Sequence, residues 1–591
     1  MKKKQMKASL LLVSLLTAGF LVTGCTNDDY DFDQIDATMG FGGGELEIPA
    51  SSTMNIPLSD ILELEENGSV KIAANGDYLF QLTGTNASTA SPRISPIHLT
   101  GRSYNHTINL STSSAAKGTR AAGTHLSFVS PKQQMFVYNG TDAAVKSLKS
   151  AEVNGEIELI VNLALNGLSS AINTIDKVTI NLPGYLQIST VNGNGNGVPM
   201  VNGSKITVEN VSTSRNLQLT IKAKKLDFAN QDAYGQVVVN NGSIKMDGYF
   251  DLGIEAHVTG VPTSALSIGA NVKVNDITLK SATGIFDPEI NITSLGDVSV
   301  TGVPDFLSED GVRADLDNPQ IILSIKNDMD AAAKVSAKVI STKNGQNLAT
   351  VQLPEMHIYK TTVTPVTKIC ICRHKTAVLT AQYGAANVYE VSNLATLINQ
   401  HIPDHVQITN VEAKADLSQE MTIEFGRNYN VEPSYEVYAP LAFAEGAVIE
   451  YADDFDGWND DLDELELAEG TYLRLTADAQ NLVPATLIVE ATPLGVKGAD
   501  ISNQIEVNIK QGTVKASADG VKAVTSPLEI ELREKVKGAL QKLDGLSYKV
   551  KGKASHDGTT VTGINLNSEK HTLKLENIKV KLVGKVIGNF N

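Results

Sequence analysis

The sequence predicts a mainly β protein: several antiparallel β-sandwich modules with a few short covering helices. Two observations carry that expectation. Apolar and polar residues alternate with period two in segment after segment, and these segments are separated by Asn-Gly, Asn-Pro and related turn signals. Stretches with helical spacing are few and short.

In order along the chain, Met1 to Gly24 reads as an export leader, with Lys2, Lys3, Lys4 and Lys7 before the apolar run Leu10 to Val22. The run is shorter than the roughly 20 apolar residues a membrane-spanning helix needs. Residues 25–48 follow as an acidic, Gly-rich tether, with Asp28, Asp29, Asp31, Asp33 and Asp36 next to the cysteine and Gly40 to Gly44 as a spacer. Residues 49–145 are expected to form an N-terminal β module with a low-complexity loop over about 83–125. Residues 146–360 read as a middle β-sandwich region of one or two modules, and 361–591 as a C-terminal β-rich domain with short helices.

Within these segments, "LQLTIKAKKLDF" places Leu217, Leu219, Ile221 and Ala223 on one face of a half-buried strand. "NNGS" at Asn240 to Ser243 and "KNGQ" at Lys343 to Gln346 read as hairpin turns, and "NGNGNG" at Asn192 to Gly197 as a hairpin tip. "LDNPQIILSIKNDMDAAAKVSAKVIS" reads as a strand, an Asn-centred turn and a returning strand, forming a hairpin. In the last strand, Leu573 and Leu575 are out of phase with Ile578, Val580 and Leu582, which predicts a bulge near Asn577. Helices are expected in "EVSNLATLINQHIP", "REKVKGALQKLDG" and "LNGLSSAINTIDK".

A chain of 591 residues is long enough for about three cores. The formal net charge of -17 opposes binding to nucleic acid, so no nucleic-acid partner is expected. None of the nucleophile-elbow, zinc-protease or catalytic-cysteine patterns occurs, so no catalytic residue is assigned and no enzyme is expected.

Three groups of residues invite a binding role. The acidic run "YADDFDGWNDDLDELELAEG" gathers Asp453, Asp454, Asp456, Asp460, Asp461 and Asp463 around Gly457, the oxygen-rich chemistry that calcium takes, although the spacing is not that of an EF-hand. Calcium is the one candidate cofactor. The same run holds Trp458, the single tryptophan, with Tyr451 and Phe455 as a candidate stacking surface for sugar. In "TKICICRHK", alternation puts Cys370, Cys372 and His374 on one strand face. Positions two apart are separated by roughly 6.6 Å, too far for neighbouring ligands of one zinc ion, so a buried pair of small apolar side chains competes with a metal site.

The leader ends in Val22, Thr23, Gly24 and Cys25, which resembles the lipobox of bacterial lipoproteins. The resemblance implies lipidation of Cys25, as by palmitate, and a membrane partner through the acyl chains. The aspartates behind Cys25 are similar to the export tag of Bacteroides-group surface lipoproteins. They imply an outer-membrane anchor facing outward, with a polysaccharide or an envelope protein as partner. The expected role is non-catalytic binding, adhesion or structure, with glycan binding for an uptake system or carriage of an apolar ligand as alternatives. The Asn318-Pro319 segment, 316–341, also resembles LEA14-like sandwich modules.

Overall fold

The structure is a computed structural model that describes residues 44–48, 53–62, 64, 68–84, 89–110, 123–259, 266–292, 295–303, 307, 311–399, 401–462 and 467–585. Cys25, its aspartates and Asp463 lie outside the described residues. The protein is mainly β: five larger sheets and one two-stranded pair, antiparallel throughout except where Val388–Glu390 runs parallel to Val366–Cys372. Among the described residues, no helix is long and apolar enough to cross a membrane.

Two pairs of facing sheets make sandwiches. In the middle sandwich, Gln320–Asn327 lies between Val366–Cys372 and Val431–Pro440, with Tyr78–Thr83 beyond the latter. The facing sheet is centred on Ala333–Lys343 between His405–Ala415 and Gln346–Gln352. Alternation on both sides delivers Ile321, Leu323, Ile369 and Ile371 from one sheet and Val335, Val339 and Ile408 from the other into one apolar cluster.

The C-terminal sandwich repeats the plan. Tyr472–Asn481 sits between Thr572–Gly584 and Val524–Glu534, facing a sheet in which Leu543–Lys553 lies between Val448–Phe455 and Thr486–Gly495. Strands Gly44–Ile48 and Met54–Pro57, from the other end of the chain, both pair with Thr572–Gly584. The remaining large sheet has fifteen strands drawn from 98–286 and Met421–Glu424, around its own core.

The Asn318-Pro319 segment is not the hairpin its sequence suggests. Gln320–Asn327 and Ala333–Lys343 pair with different partners in opposite sheets, so the turn between them is an arch across the sandwich. Asn327 builds the arch: it is 6% exposed, its Nδ2 donates to Ala331 O at 3.1 Å, and its Oδ1 accepts from Met329 N at 3.0 Å. The C-terminal sandwich has the same device. Asn481, fully buried at the end of Tyr472–Asn481, donates to Ala485 O at 3.0 Å and accepts from Val483 N at 2.8 Å before Thr486–Gly495 begins in the facing sheet.

Other expectations divide by how local they are. Asn241 and Gly242 take φ +48° and +77°, and Asn344 and Gly345 take +51° and +74°, closing two-residue hairpins of the primed type that Asn-Gly favours. "NGNGNG" is not a hairpin tip: the strands on either side of it, Leu186–Gly193 and Val198–Asn202, pair with different neighbours, and buried Asn196 Nδ2 bonds Ser212 O and Arg215 O to turn the corner. The three expected helices reduce to 3-10 turns at Asn166–Leu168, Leu394–Leu397 and Leu540–Lys542. Gly538 at φ +75° breaks the third, and three of the four residues in the second are buried, so no polar helical face exists there. A true helix forms instead at Ala377–Tyr383, capped by Thr376 Oγ1 accepting from Leu379 N and stopped at Gly384. The low-complexity region carries strands His98–Gly101 and Ser103–Asn109 rather than one continuous loop.

Candidate functional site

The acidic run splits between surface and core. Val448–Phe455 is a strand paired with Leu543–Lys553, so Tyr451, Asp453 and Phe455 alternate with Ala452 and Asp454 along it. Asp454 and Asp456 are exposed, while Asp460 and Asp461 fall in the one-turn helix Asn459–Leu462 beyond Gly457 at φ +106°. Trp458 is 4% exposed and packs with Leu462, Leu473, Leu540, Leu543 and Leu546. Its backbone N–H donates to Asp544 O at 2.8 Å, and the Asp544 carboxylate accepts from Gly457 N and Asn459 N. Asp544 therefore closes the loop from the strand across the sheet, and the indole pins it to the core. A sugar-stacking surface needs an open indole face, and Trp458 does not present one. Among the described residues no group of three or more His, Cys, Asp or Glu side chains is placed to hold a metal ion.

The cysteines occupy the strand Val366–Cys372 as the alternation requires. Ile369 and Ile371 face the middle sandwich core; Cys370 and Cys372 face the other way, against Leu379 of the helix and Val388, and both are fully buried. The hydrogen bond between the two thiols, with burial behind it, pushes Cys370 up, and the same bond holds Cys372 low. His374 lies past the end of the strand and is exposed, its backbone N–H donating to Asn318 Oδ1 at 2.9 Å. The three residues are not brought together.

The most site-like surface lies on the fifteen-stranded assembly. Strands Ser103–Asn109, Ser267–Val274, Val145–Ala164 and Leu217–Asp227 run side by side, and their register places Asn105 opposite Asn271, Asn271 opposite Asn162, and Asn162 opposite Gln218. Four amides thus form one row across four strands. The next row along the same face is small, with Thr107 opposite Gly269 and Gly269 opposite Ala164, and leaves a cleft of about 460 Å³ beside the amides. No Asp, Glu, Lys or Arg lines it. Asn271 Nδ2 donates to Asn105 Oδ1, and Asn162 Oδ1 is buried without a hydrogen-bond partner.

This row escaped the sequence reading. Each amide occupies an outward position of an alternating strand, where any polar residue satisfies the pattern, and only the pairing of strands distant in sequence lines them up. The recurrence of Asn or Gln at such positions in "YNHTIN", "VNLALN", "NLQL" and "GANVKV" was the available signal.

No family model and no curated protein matches the chain. Among solved structures it is similar to one described as a secreted protein of Parabacteroides distasonis, at 14% identity over 52% of this chain and 90% of that one, with a TM-score of 0.36.

Proposed function

We propose that the chain is a lipid-anchored, outward-facing envelope protein whose role is non-catalytic binding, with the amide row as its binding face. The leader, Cys25 and its aspartates supply the anchor and the address. The observation that carries the binding role is the uncharged row Asn105, Asn271, Asn162 and Gln218 beside a cleft floored by Gly269 and Ala164. Primary amides offer donors and acceptors in pairs and no net charge, a match for vicinal hydroxyls of a neutral polysaccharide. The glycan reading thus rests on this face rather than on Trp458.

The test is retention of the full chain on a panel of immobilised neutral polysaccharides. At least one should retain it, and Asn271→Ala or Gln218→Ala should weaken retention tenfold or more at an unchanged melting temperature. If no polysaccharide retains the unsubstituted chain, the glycan reading falls. Protease shaving of intact cells tests the address separately, and a chain untouched by protease is not displayed.

A further inference from the structure

Two histidines and an aspartate meet on the fifteen-stranded assembly, on strands that take no part in the amide row. His125–Val129 pairs with Ser243–His257, and the register sets His125 directly opposite His257. Leu126 and Ala256, the neighbours of these histidines in sequence, are buried in the core, so both imidazoles stand on the exposed face. On the other side of Ser243–His257, Thr174–Asn181 pairs Ile175 with Ala256 and Lys177 with Glu255. Asp176 is the extra residue between those pairs, and this bulge carries its carboxylate to His257, with Oδ2 2.6 Å from Nδ1.

The ring spacing suits a shared cation. A metal ion about 2.0–2.1 Å from one nitrogen of each ring lies about 3.2 Å from each ring centre, which sets the two centres about 4.5 Å apart for a right-angled N–metal–N geometry and about 5.2 Å apart for a tetrahedral one. The centres of His125 and His257 are 4.9 Å apart, between those limits, and the ring planes are inclined at 56° rather than stacked in parallel. Asp176 adds a second feature. A carboxylate only accepts hydrogen bonds, so Nδ1 of His257 is the nitrogen that carries the proton, and Nε2 of the neutral ring keeps its lone pair for a ligand. A carboxylate behind the ring is also what orients a metal-bound histidine and raises its basicity. His405 lacks this combination: Asp297 lies 3.3 Å from its Nδ1, but its register partners are Ser299 and Thr342, not a second imidazole.

We infer that His125 and His257 form a two-imidazole site for a divalent cation of the zinc and copper class, positioned by Asp176 and with its other coordination positions open to water. Imidazole selects these ions over calcium and magnesium. Two protein ligands, rather than the three or four of a catalytic or structural zinc, make the site open and exchangeable, and it forms no three-ligand group. The inference does not depend on the glycan reading, which is carried by other strands.

The experiment titrates the untagged full-length chain carrying Cys25→Ala, so that no thiol at position 25 competes, with zinc chloride in a calorimeter. Saturable binding of one zinc ion at this site is expected. His125→Ala and His257→Ala should each weaken it at least tenfold, and His405→Ala should leave it unchanged. Asp176→Asn, which alters a group behind the ligand rather than the ligand, should weaken it about tenfold, with Asp176→Glu closer to the unsubstituted chain. Absence of zinc binding overturns the inference, as does binding that survives both His125→Ala and His257→Ala or that falls equally in His405→Ala. Full affinity in Asp176→Asn overturns the positioning role. Electron paramagnetic resonance of the unsubstituted chain loaded with one equivalent of copper(II) gives a readout independent of the variants' folding: coupling to two imidazole nitrogens supports the site, and coupling to one or none overturns it.

Discussion

His571 shows how one side chain joins the two ends of the protein. It is 3% exposed, its Nδ1 accepts from Asn567 N at 3.1 Å, and its carbonyl accepts from Leu58 N at 2.9 Å. Asn567 in turn donates to Asn75 O at 3.0 Å and Asp77 Oδ1 at 2.8 Å. Burial holds the imidazole pKa below its ordinary value of 6.5, against the opposing pull of Asp77. Below that value the unfolded chain takes up a proton that the folded imidazole resists, so stability declines as pH falls from 6.5 toward the folded pKa. The loss should be on the order of 1 kcal/mol between pH 7 and 5 in urea titrations, and His571→Asn, which keeps an acceptor near the Nδ1 position, should flatten that slope. Asp416 and Asp519, whose carboxyls are held low mainly by hydrogen bonds from Ser418 and from the Lys522 backbone, act only below the ordinary carboxylate range and do not obscure it. None of this is legible in "SEKHTLKL": Asn75 and Asp77, which Asn567 holds against His571, lie 492 and 490 residues from Asn567.

Elements whose geometry is decided by neighbours in sequence were legible; those decided by the facing sheet were not. Asn241-Gly242 and Asn344-Gly345 need only their own φ angles, and the Asn577 bulge needs only a phase change, so all three could be read directly. The arch at Asn327 has the same local composition as a hairpin turn. What separates the two is the choice of partner strand, which depends on apolar residues far along the chain. The recurrence of the arch at Asn481 shows that the side chain substitutes for a missing ladder: each Asn satisfies two backbone carbonyls, Ala331 and Tyr359 for Asn327 and Ala485 and Lys515 for Asn481, and one backbone N–H where the chain leaves its sheet. Asn327→Ala and Asn481→Ala each leave those groups buried and unpaired, at a cost of about 1–3 kcal/mol. The arches lie in different sandwiches, so the double variant should lose the sum of the two single losses. Denaturant unfolding of the three variants checks this, and a double loss well short of the sum would mean the arches share one structural unit.

At the scale of the whole molecule, the N-terminal strands stitch the sandwiches together. Gly44–Ile48 and Met54–Pro57 complete the edge of the C-terminal sandwich, and some twenty residues later Tyr78–Thr83 joins the middle sandwich beside Val431–Pro440. The chain then builds most of the fifteen-stranded assembly before returning to the middle sandwich at Asp297–Ser299. The anchor proposed at Cys25 therefore attaches 19 residues ahead of a strand that pairs into the C-terminal sandwich. Deleting residues 44–57 while keeping the leader and tether should leave the fifteen-stranded assembly folded, because none of its strands comes from that segment. The same deletion strips the outer partners from Thr572–Gly584, a 13-residue strand with an apolar inner face, and an unpaired edge of that length is a template for intermolecular pairing. The expected result is concentration-dependent association, together with loss of hydrogen-exchange protection in Thr572–Gly584 and Tyr472–Asn481 but not in Val145–Ala164. A deletion variant that stays monomeric with full protection in Thr572–Gly584 would show that the C-terminal sandwich is complete without its N-terminal strands.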